Sequence, residues 1–329
     1  MANVAVSGKI PDTRQKGRMP ASYRADRTFH RITFASAIFV LLMFAGILFT
    51  LTEGAWPAVA AFGWQFLVTD VWNPVTERFG GLAPIAGTLI TSFLAMLVAV
   101  PVGIGIAIFL TELCPRPLRR PIGIAVELLA GIPSIIYGIW GLFVLAPFLQ
   151  EYVMPPVIAA FEDVPLLSAL FAGPPYGIGV FTASLILSIM TIPFISAVTR
   201  DVFETVPTVL KEAAYGLGCT VWEVVWNVVL PYARGGVVGG VMLALGRALG
   251  ETMAVTFVIG NSHRISASLF APGTTISATI ANEFTEATGD LYVPALVELG
   301  LLLFLVTFCI LALAQFMLYR LEARAGGRT

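Results

Sequence analysis

Long apolar runs, separated by short polar segments, dominate the chain. Six of them reach about 20 residues, the length that an α-helix needs to cross the hydrocarbon core of a bilayer. They cover residues 32–51, 84–110, 122–149, 177–198, 235–259 and 293–319. The pattern predicts an all-α integral membrane protein whose six transmembrane helices form one domain at 32–320. A basic segment, 1–31, precedes this domain and a short tail, 321–329, follows it.

The composition strengthens the membrane prediction. Hydrophobic residues make up 57% of the chain and charged residues 12%, against about 25% charged residues in a soluble domain. The mean hydropathy is +0.88. The first apolar run is longer than the hydrophobic region of a cleaved secretory signal, so we expect an uncleaved membrane anchor.

The distribution of cations predicts which side of the membrane each loop faces. Lys and Arg beside membrane spans concentrate on the cytoplasmic side. Sixteen of the nineteen cations fall in the leader, in the tail, or in the segments after spans two and four. The alternate loops contain only Arg78 and Arg264, and Arg247 lies within a predicted span. We therefore expect a plasma-membrane protein whose termini and 200–234 loop are cytoplasmic.

A segment rich in small and polar residues interrupts the apolar pattern within the 200–234 loop. Pro207 suits the start of a helix, and good helix formers follow it until Gly216 and Gly218 interrupt them. Two consecutive alanines have small side chains, so another protein can approach the backbone of this first helix closely. The sequence therefore predicts a helix that ends in an elbow around Gly218.

A second helix is predicted directly after the elbow. Thr220 and Glu223 have the Thr-x-x-Glu spacing of a capping box, which marks the start of a helix. Trp222 and Trp226 are four residues apart and share a face suited to packing. Pro231 is expected to end this short helix.

Charged side chains within the predicted spans are candidates for function, because each costs about 2.5–3.5 kcal/mol on insertion scales. These residues are Glu127, Arg247, Glu251 and Glu298. Arg247 and Glu251 are four residues apart, so one helix face is expected to hold them as a direct pair. We interpret this pair as part of a solute pathway, and a purely structural ion pair is the alternative. For Glu127 and Glu298, structural and functional roles both stay open.

The segment after span four resembles the EAA loop, by which permease subunits of ABC importers contact their ATPase. The residues that carry this resemblance in register are Glu212, Ala213, Ala214, Gly218, Leu230 and Pro231. Three further segments, 129–147, 247–255 and 281–287, are similar to phosphate-specific transport permeases of the PstC type. The similarity covers roughly residues 30–320.

The resemblance implies a type I ABC importer permease fold and the import of inorganic phosphate. It implies three kinds of partner: a second permease of the PstA type, an ATPase pair of the PstB type, and an extracytoplasmic phosphate-binding protein of the PstS type. The sequence contains no Gly-x-x-x-x-Gly-Lys-Ser/Thr motif. ATP and Mg²⁺ are therefore expected on the partner ATPase, with no catalytic site and no cofactor on this chain.

Phosphate chemistry is compatible with the two pathway candidates. The guanidinium of Arg247 is a permanent cation whose planar donors fit phosphate oxygens. The carboxylate of Glu251 can accept the proton that hydrogen phosphate still carries and sulfate lacks.

The loops that alternate with the cation-rich ones are acidic. Residues 52–83, 150–176 and 261–292 together contain nine acidic residues against two arginines. The negative electrostatic potential of these loops repels a free anion, which favours delivery by a binding protein.

The sequence also gives no sign of a metal site. The three cysteines lack Cys-x-x-Cys spacing, and the two histidines fall on opposite sides of the predicted topology, so no metal site is expected.

Two alternatives to phosphate import stay open from the sequence. EAA loops are alike among oxyanion importers, so a permease for sulfate, molybdate or phosphonate is the first alternative. A proton-coupled secondary transporter is the second, because carboxylates within spans often relay protons. Neither alternative accounts for the segment from Arg247 to Glu251 together with the EAA register.

Overall fold

The computed structural model describes residues 21–326, except for the side chains at 21–24, 166, 318 and 321–326. Residues 1–20 of the predicted basic leader and 327–329 of the predicted tail lie outside this description. Contacts divide the chain into two units, Met1–Thr50 and Leu51–Thr329. Throughout the described residues the regular structure is helical, apart from one isolated bridge between Asn73 and Arg78.

Fifteen α-helices follow one another in the described part of the chain. Their bounds are α1 Ala21–Phe62, α2 Gln65–Val68, α3 Leu82–Ile108, α4 Arg116–Ala130, α5 Ser134–Trp140, α6 Ala146–Phe148, α7 Met154–Phe161, α8 Pro165–Phe171, α9 Val180–Glu204, α10 Thr208–Gly216, α11 Val221–Val224, α12 Leu230–Leu249, α13 Met253–Thr256, α14 Ile276–Glu283 and α15 Tyr292–Gly326. Wide π-helical turns continue four of them, at Phe109–Leu113, Gly141–Leu145, Leu149–Val153 and Val225–Val229.

Six continuous helical stretches are long and apolar enough to cross a membrane, which confirms the predicted number. They cover Ala25–Phe62, Leu82–Leu113, Ser134–Phe161, Val180–Glu204, Val221–Leu249 and Tyr292–Met317. The second, fourth and sixth stretches lie within a few residues of their predicted positions. The third and fifth differ by a dozen residues or more, and each difference has a local cause.

The third span begins at Ser134, so the prediction that it starts at residue 122 is wrong. Pro133 precedes α5 with an extended backbone, ψ 135°, and a proline disfavours the helical conformation of the residue before it. Gly131 ends α4 directly before this break. Arg116–Ala130 is therefore a separate amphipathic helix, and Glu127 lies outside the membrane-spanning stretches.

The fifth span starts at Val221 and ends at Leu249, instead of covering the predicted 235–259. The prediction that Pro231 ends the preceding helix is also wrong, because α11, a π-turn and α12 run on without interruption. The π-turn, Val225–Val229, widens the helix directly before Pro231. This widening moves the preceding carbonyls, which a proline ring would contact in a regular α-helix.

The core of the larger unit surrounds α9. In its most apolar window 61% of the residues are buried, against at most 33% in any other span. Its buried positions include small and hydroxyl side chains, such as Ala183, Ser188 and Thr191. The hydroxyls of Ser188 and Thr191 donate to backbone carbonyls of the same helix, at 2.7 and 2.6 Å. Within a membrane the hydrophobic effect does not drive helices together, and small residues allow the close packing that holds them. Helices α3, α5, α12 and α13 pack around α9.

Candidate functional site

The elbow segment, residues 207–231, begins with α10 and turns at a glycine. The amide of Gly218 donates to the carbonyl of Tyr215 at 2.9 Å, and the amide of Cys219 donates to that of Ala214 at 3.2 Å. These bonds form a Schellman motif, which requires a left-handed residue at its turn. Gly218 has φ +88°, and open space surrounds the position that a Cβ would occupy. Backbone conformation, rather than crowding, therefore requires glycine here.

The second helix of the elbow segment begins with the predicted capping box. The amide of Glu223 donates to Thr220 Oγ1 at 3.4 Å, and the amide of Thr220 donates to Glu223 Oε2 at 2.7 Å. Trp222 and Trp226 stack on each other with ring centroids 5.3 Å apart. Both indole rings are more than half exposed, so they extend the surface of the segment.

Some of the predicted contact residues are exposed and others are buried against the rest of the chain. Glu212, Ala213, Gly218 and Pro231 are exposed, and Leu230 is half-buried. Ala214 is buried in a cluster with Phe203, Val224, Val229 and Ala233, which joins the segment to α9 and α12. Leu217 is 87% exposed and Trp222 65%. An apolar surface of this kind, rimmed by polar groups, is typical of a protein contact.

An ion pair anchors α10 to the end of the second span. Lys211 Nζ lies 2.6 Å from Glu112 Oε1, and these side chains are 17% and 7% exposed. Burial, and then the charge of Glu112, raises the pKa of the Tyr215 phenol above its usual value. Sequence analysis did not find this pair, because the residues are 99 positions apart. The only indication in the sequence was that Lys211 and Glu112 both lie on the predicted cytoplasmic side of the membrane.

The structure does not bring Arg247 and Glu251 together as predicted. Helix α12 ends at Leu249, with Gly250 as its C-cap, so Glu251 lies outside the helix that holds Arg247. Within the described residues no ion pair joins them, and Arg247 is exposed with no ion pair or hydrogen bond. The expectation of a shared helix face is therefore wrong, because the helix ends two residues before Glu251.

Glu251 instead organises the chain after the helix break. Its Oε1 accepts a hydrogen bond from the amide of Ala254 at 3.3 Å, at the start of α13. Its backbone carbonyl accepts one from Ser277 Oγ at 2.7 Å, which links the break to α14. The carboxylate is half-buried. A role for Arg247 and Glu251 in a solute pathway remains a prediction that the geometry leaves open.

The other two charged candidates have different surroundings. Glu127 Oε1 lies 2.6 Å from Arg200 Nη2, at the end of α9. Glu298, on α15, is 5% exposed, and its Oε2 has no hydrogen-bond partner in the described part of the chain. Neither residue lies in the elbow segment or beside the helix break at Gly250.

A hydrogen-bonded cluster joins the loop between α2 and α3 to the segment before α14, the end of α14 and the start of α15. Glu283 accepts bonds from Trp72 Nε1 at 2.5 Å and from the Tyr292 hydroxyl at 2.8 Å, and it lies 2.8 Å from His263 Nε2. The His263 ring stacks on Trp72, with centroids 5.1 Å apart. Burial raises the pKa of Glu283, but the bonds from His263, Tyr292 and Trp72 outweigh it and leave this pKa below its usual value. The similarity of 281–287 to phosphate permeases was the only signal for this cluster.

Comparison with known proteins agrees with the fold. The family described as "Binding-protein-dependent transport system inner membrane component" matches residues 99–326. A relative from Mesorhizobium japonicum, named "Phosphate transport system permease protein PstC", is 68% identical over 301 residues, which cover 92% of each chain. A relative from Methanocaldococcus jannaschii, named "Probable phosphate transport system permease protein PstC", is 38% identical and covers 84% of this chain and 89% of its own.

The fold has a counterpart among solved structures. It is similar, with a TM-score of 0.61, to a chain of a bacterial alginate ABC transporter solved in complex with an alginate-bound periplasmic protein. The identity is 19%, and the match covers 90% of this chain and 97% of the other. This likeness shows the predicted type I ABC importer permease architecture. Together with the sequence relatives, it shows that the chain belongs to the PstC family of phosphate transport system permeases, within the binding-protein-dependent transport system inner membrane components.

Proposed function

We propose that this chain is the permease subunit of an ATP-driven importer that carries inorganic phosphate across the plasma membrane. The observation that carries the proposal is the elbow segment, whose exposed side presents Glu212, Ala213 and Leu217. The names of the relatives supply the solute. ATP hydrolysis belongs to a separate chain, because this sequence has no phosphate-binding loop of its own.

The importer needs three further kinds of subunit. An ATPase pair docks on the elbow segment, a homologous permease completes the pathway, and an extracytoplasmic phosphate-binding protein delivers the solute. Acidic loops on the side away from the elbow segment support this delivery, because their field repels a free anion. The relation to an importer crystallised with its periplasmic binding protein points the same way.

The elbow segment faces the cytoplasm, together with both termini. Cations concentrate on the cytoplasmic side of membrane spans, and Arg116, Arg200 and Lys211 lie at the same end of the larger unit as the elbow segment. ATP is available on that side. The cluster around Glu283 then lies at the extracytoplasmic end.

One continuous helix can transmit motion from the ATPase to the pathway. Val221–Leu249 starts inside the elbow segment and carries Arg247 near its other end. At about 1.5 Å per residue, Glu223 and Arg247 are roughly 36 Å apart along it. Displacement of the elbow therefore moves both ends of the same rod, while the Lys211–Glu112 pair moves the second span with it.

Arg247 and Glu251 contribute to phosphate passage from the two sides of the helix break. Arg247 is exposed on this chain and pairs with none of its described residues, so its guanidinium is available to a pathway between subunits. A guanidinium has planar donors for phosphate oxygens. The half-buried carboxylate of Glu251 can accept the proton of hydrogen phosphate, which gives a reason to exclude sulfate.

Reconstitution tests the proposed function. The chain is purified with candidate second-permease, ATPase and binding-protein chains, and ATP-dependent uptake of radiolabelled phosphate into proteoliposomes is measured. We expect uptake that requires ATP, with excess sulfate or molybdate failing to compete. Uptake driven by a proton gradient without the ATPase, or equal competition by sulfate, would contradict the proposal.

The pathway residues need their own variants. Arg247→Gln and Glu251→Gln are expected to lower phosphate uptake at least tenfold while the subunits still assemble. Arg234→Gln is the matched control, because Arg234 is an exposed arginine on the same helix at its other end. Unchanged uptake in both pathway variants would remove these residues from the pathway without affecting the importer proposal.

A further inference from the structure

A basic cleft lies beside the C-terminal end of α9, and none of its lining residues belongs to the elbow segment. Its volume is about 330 Å³. Its charged lining consists of Arg116, Arg119, Arg120, Glu127, Arg200 and Glu204. The first four of these residues lie on α4 and the last two on α9, so the cleft is formed where these two helices pack together.

The cleft has an excess of positive charge that its own residues do not neutralise. Four arginines face two glutamates. Arg200 is paired with Glu127 at 2.6 Å, and Arg119 Nη2 donates to the carbonyl of Thr111 at 2.6 Å. Arg116 and Arg120 form no ion pair or hydrogen bond with any described residue. Two unpaired guanidinium groups thus point to an anionic ligand.

The helix that carries these arginines is built to lie at a membrane surface. Arginines at 116, 119 and 120 and Glu127 recur at helical spacing on one face of α4, whereas Leu118, Leu128 and Leu129 fall on the opposite face. The three leucines are between 46% and 68% exposed. An amphipathic helix with this division lies in the interface with its apolar face toward the acyl chains. Its arginines then lie at the level of lipid headgroups.

We propose that this cleft binds the phosphodiester headgroup of an anionic phospholipid. A phosphate group is the shared chemistry of a headgroup and of free inorganic phosphate, and arginine binds either by paired donors. The apolar face of α4 favours the lipid, because acyl chains cover the exposed leucines while the headgroup reaches Arg116 and Arg120. Basic pockets between helices at the cytoplasmic face are suited to such headgroups.

Lipid binding is measurable on the purified full-length chain without ATP or partner subunits, so its outcome is independent of the proposed transport function. The chain is placed in nanodiscs of phosphatidylcholine with increasing phosphatidylglycerol, and bound anionic lipid is quantified by native mass spectrometry. A parallel titration uses inorganic phosphate alone. The test variant is Arg116→Gln/Arg120→Gln, and Arg120→Gln alone serves if the double variant does not fold.

The control variant, Arg234→Gln/Arg320→Gln, removes the same charge at exposed positions outside the cleft. We expect the test variant to bind phosphatidylglycerol at least tenfold more weakly, because each arginine near the surface is worth about a factor of five. The control variant is expected to bind it as the native chain does. Equal losses in both variants, or no loss in the test variant, would overturn the site. Arginine-dependent binding of inorganic phosphate that displaces the lipid would overturn the lipid assignment.

Discussion

Removal of Lys211 tests how firmly the elbow segment is attached to the membrane domain. The proposed relay requires the segment and the second span to move together, and the Lys211–Glu112 pair is their direct charged link. Lys211→Met keeps the length and apolar stem of the side chain but removes the ammonium group. Glu112, with 7% of its side chain exposed, is then left as a buried carboxylate without its cation.

The magnitude follows from the exposure of the two side chains. An exposed ion pair contributes about 0.2–1 kcal/mol, whereas loss of one partner from a fully buried pair costs about 3–5 kcal/mol. With 17% and 7% exposure, this pair lies nearer the buried limit, so we expect a loss of about 2–3 kcal/mol. The double variant Lys211→Met/Glu112→Gln removes the unpaired charge and is expected to recover at least half of that loss.

Thermal unfolding of the purified chain in detergent gives the stability comparison. We expect Lys211→Met to lower the apparent Tm by about 4–12 °C, since 1 kcal/mol shifts Tm by about 2–4 °C in proteins of about 150–250 residues. In the reconstituted importer the same variant is expected to hydrolyse ATP while phosphate uptake falls. Single variants within 0.5 kcal/mol of the native chain, together with an additive double variant, would refute the reasoning.

Three further predictions concern the elbow, the packing of α3 and the cluster around Glu283. Gly218→Ala is expected to cost about 1–2 kcal/mol of stability, because φ +88° is unfavourable for a residue with a Cβ. Gly216→Ala, in open space within a helix, is expected to be neutral or stabilising. The two variants are compared by their Tm and by phosphate uptake. Gly87→Ala places a Cβ 1.8 Å from the backbone carbonyl oxygen of Thr274, in the segment before α14, and is expected to cost about 1–3 kcal/mol. Gly105→Ala on the same helix meets no atom within 4 Å, so comparable Tm values for these two variants would contradict the packing. Glu283→Gln is expected to cost about 1.5–3 kcal/mol at pH 7, from the loss of charged hydrogen bonds. Because the folded-state pKa of Glu283 lies below its usual value, this stabilisation is complete above about pH 4.5 and declines as the pH falls further, so a Tm difference between native and variant chains that does not shrink as the pH is lowered would contradict the account.

Local patterns were predictable from the sequence where one short motif decided the structure. The Thr220–Glu223 capping box and the turn at Gly218 depend on residues within five positions of each other, and the structure has both. Run length fixed the number of spans, because each run crosses the membrane independently of its neighbours. The membrane class and the elbow were therefore accessible without any tertiary information.

The errors in the bounds of the third and fifth spans came from glycine and proline residues within apolar sequence. Continuous hydrophobicity concealed the break at Gly131–Pro133 and the helix end at Gly250, although glycine after a helical run is a known C-terminal signal. At Pro231 the sequence predicted a helix end that the structure does not have, because a π-turn accommodates the proline. Contacts such as Lys211–Glu112 join residues far apart in the chain, and only the packing of helices brings them together.

The continuity of Val221–Leu249 limits how this permease can be recombined with others. A chimera that exchanges only the proposed ATPase contact surface cannot be joined at both edges of a loop, because the second edge falls inside a continuous helix. A splice that ignores this would rotate every residue beyond it by about 100° for each position inserted or deleted, and Arg247 would turn away with them. If the elbow segment binds the ATPase and Arg247 contacts the solute as proposed, the two properties are inherited together, and a graft must preserve the helical phase.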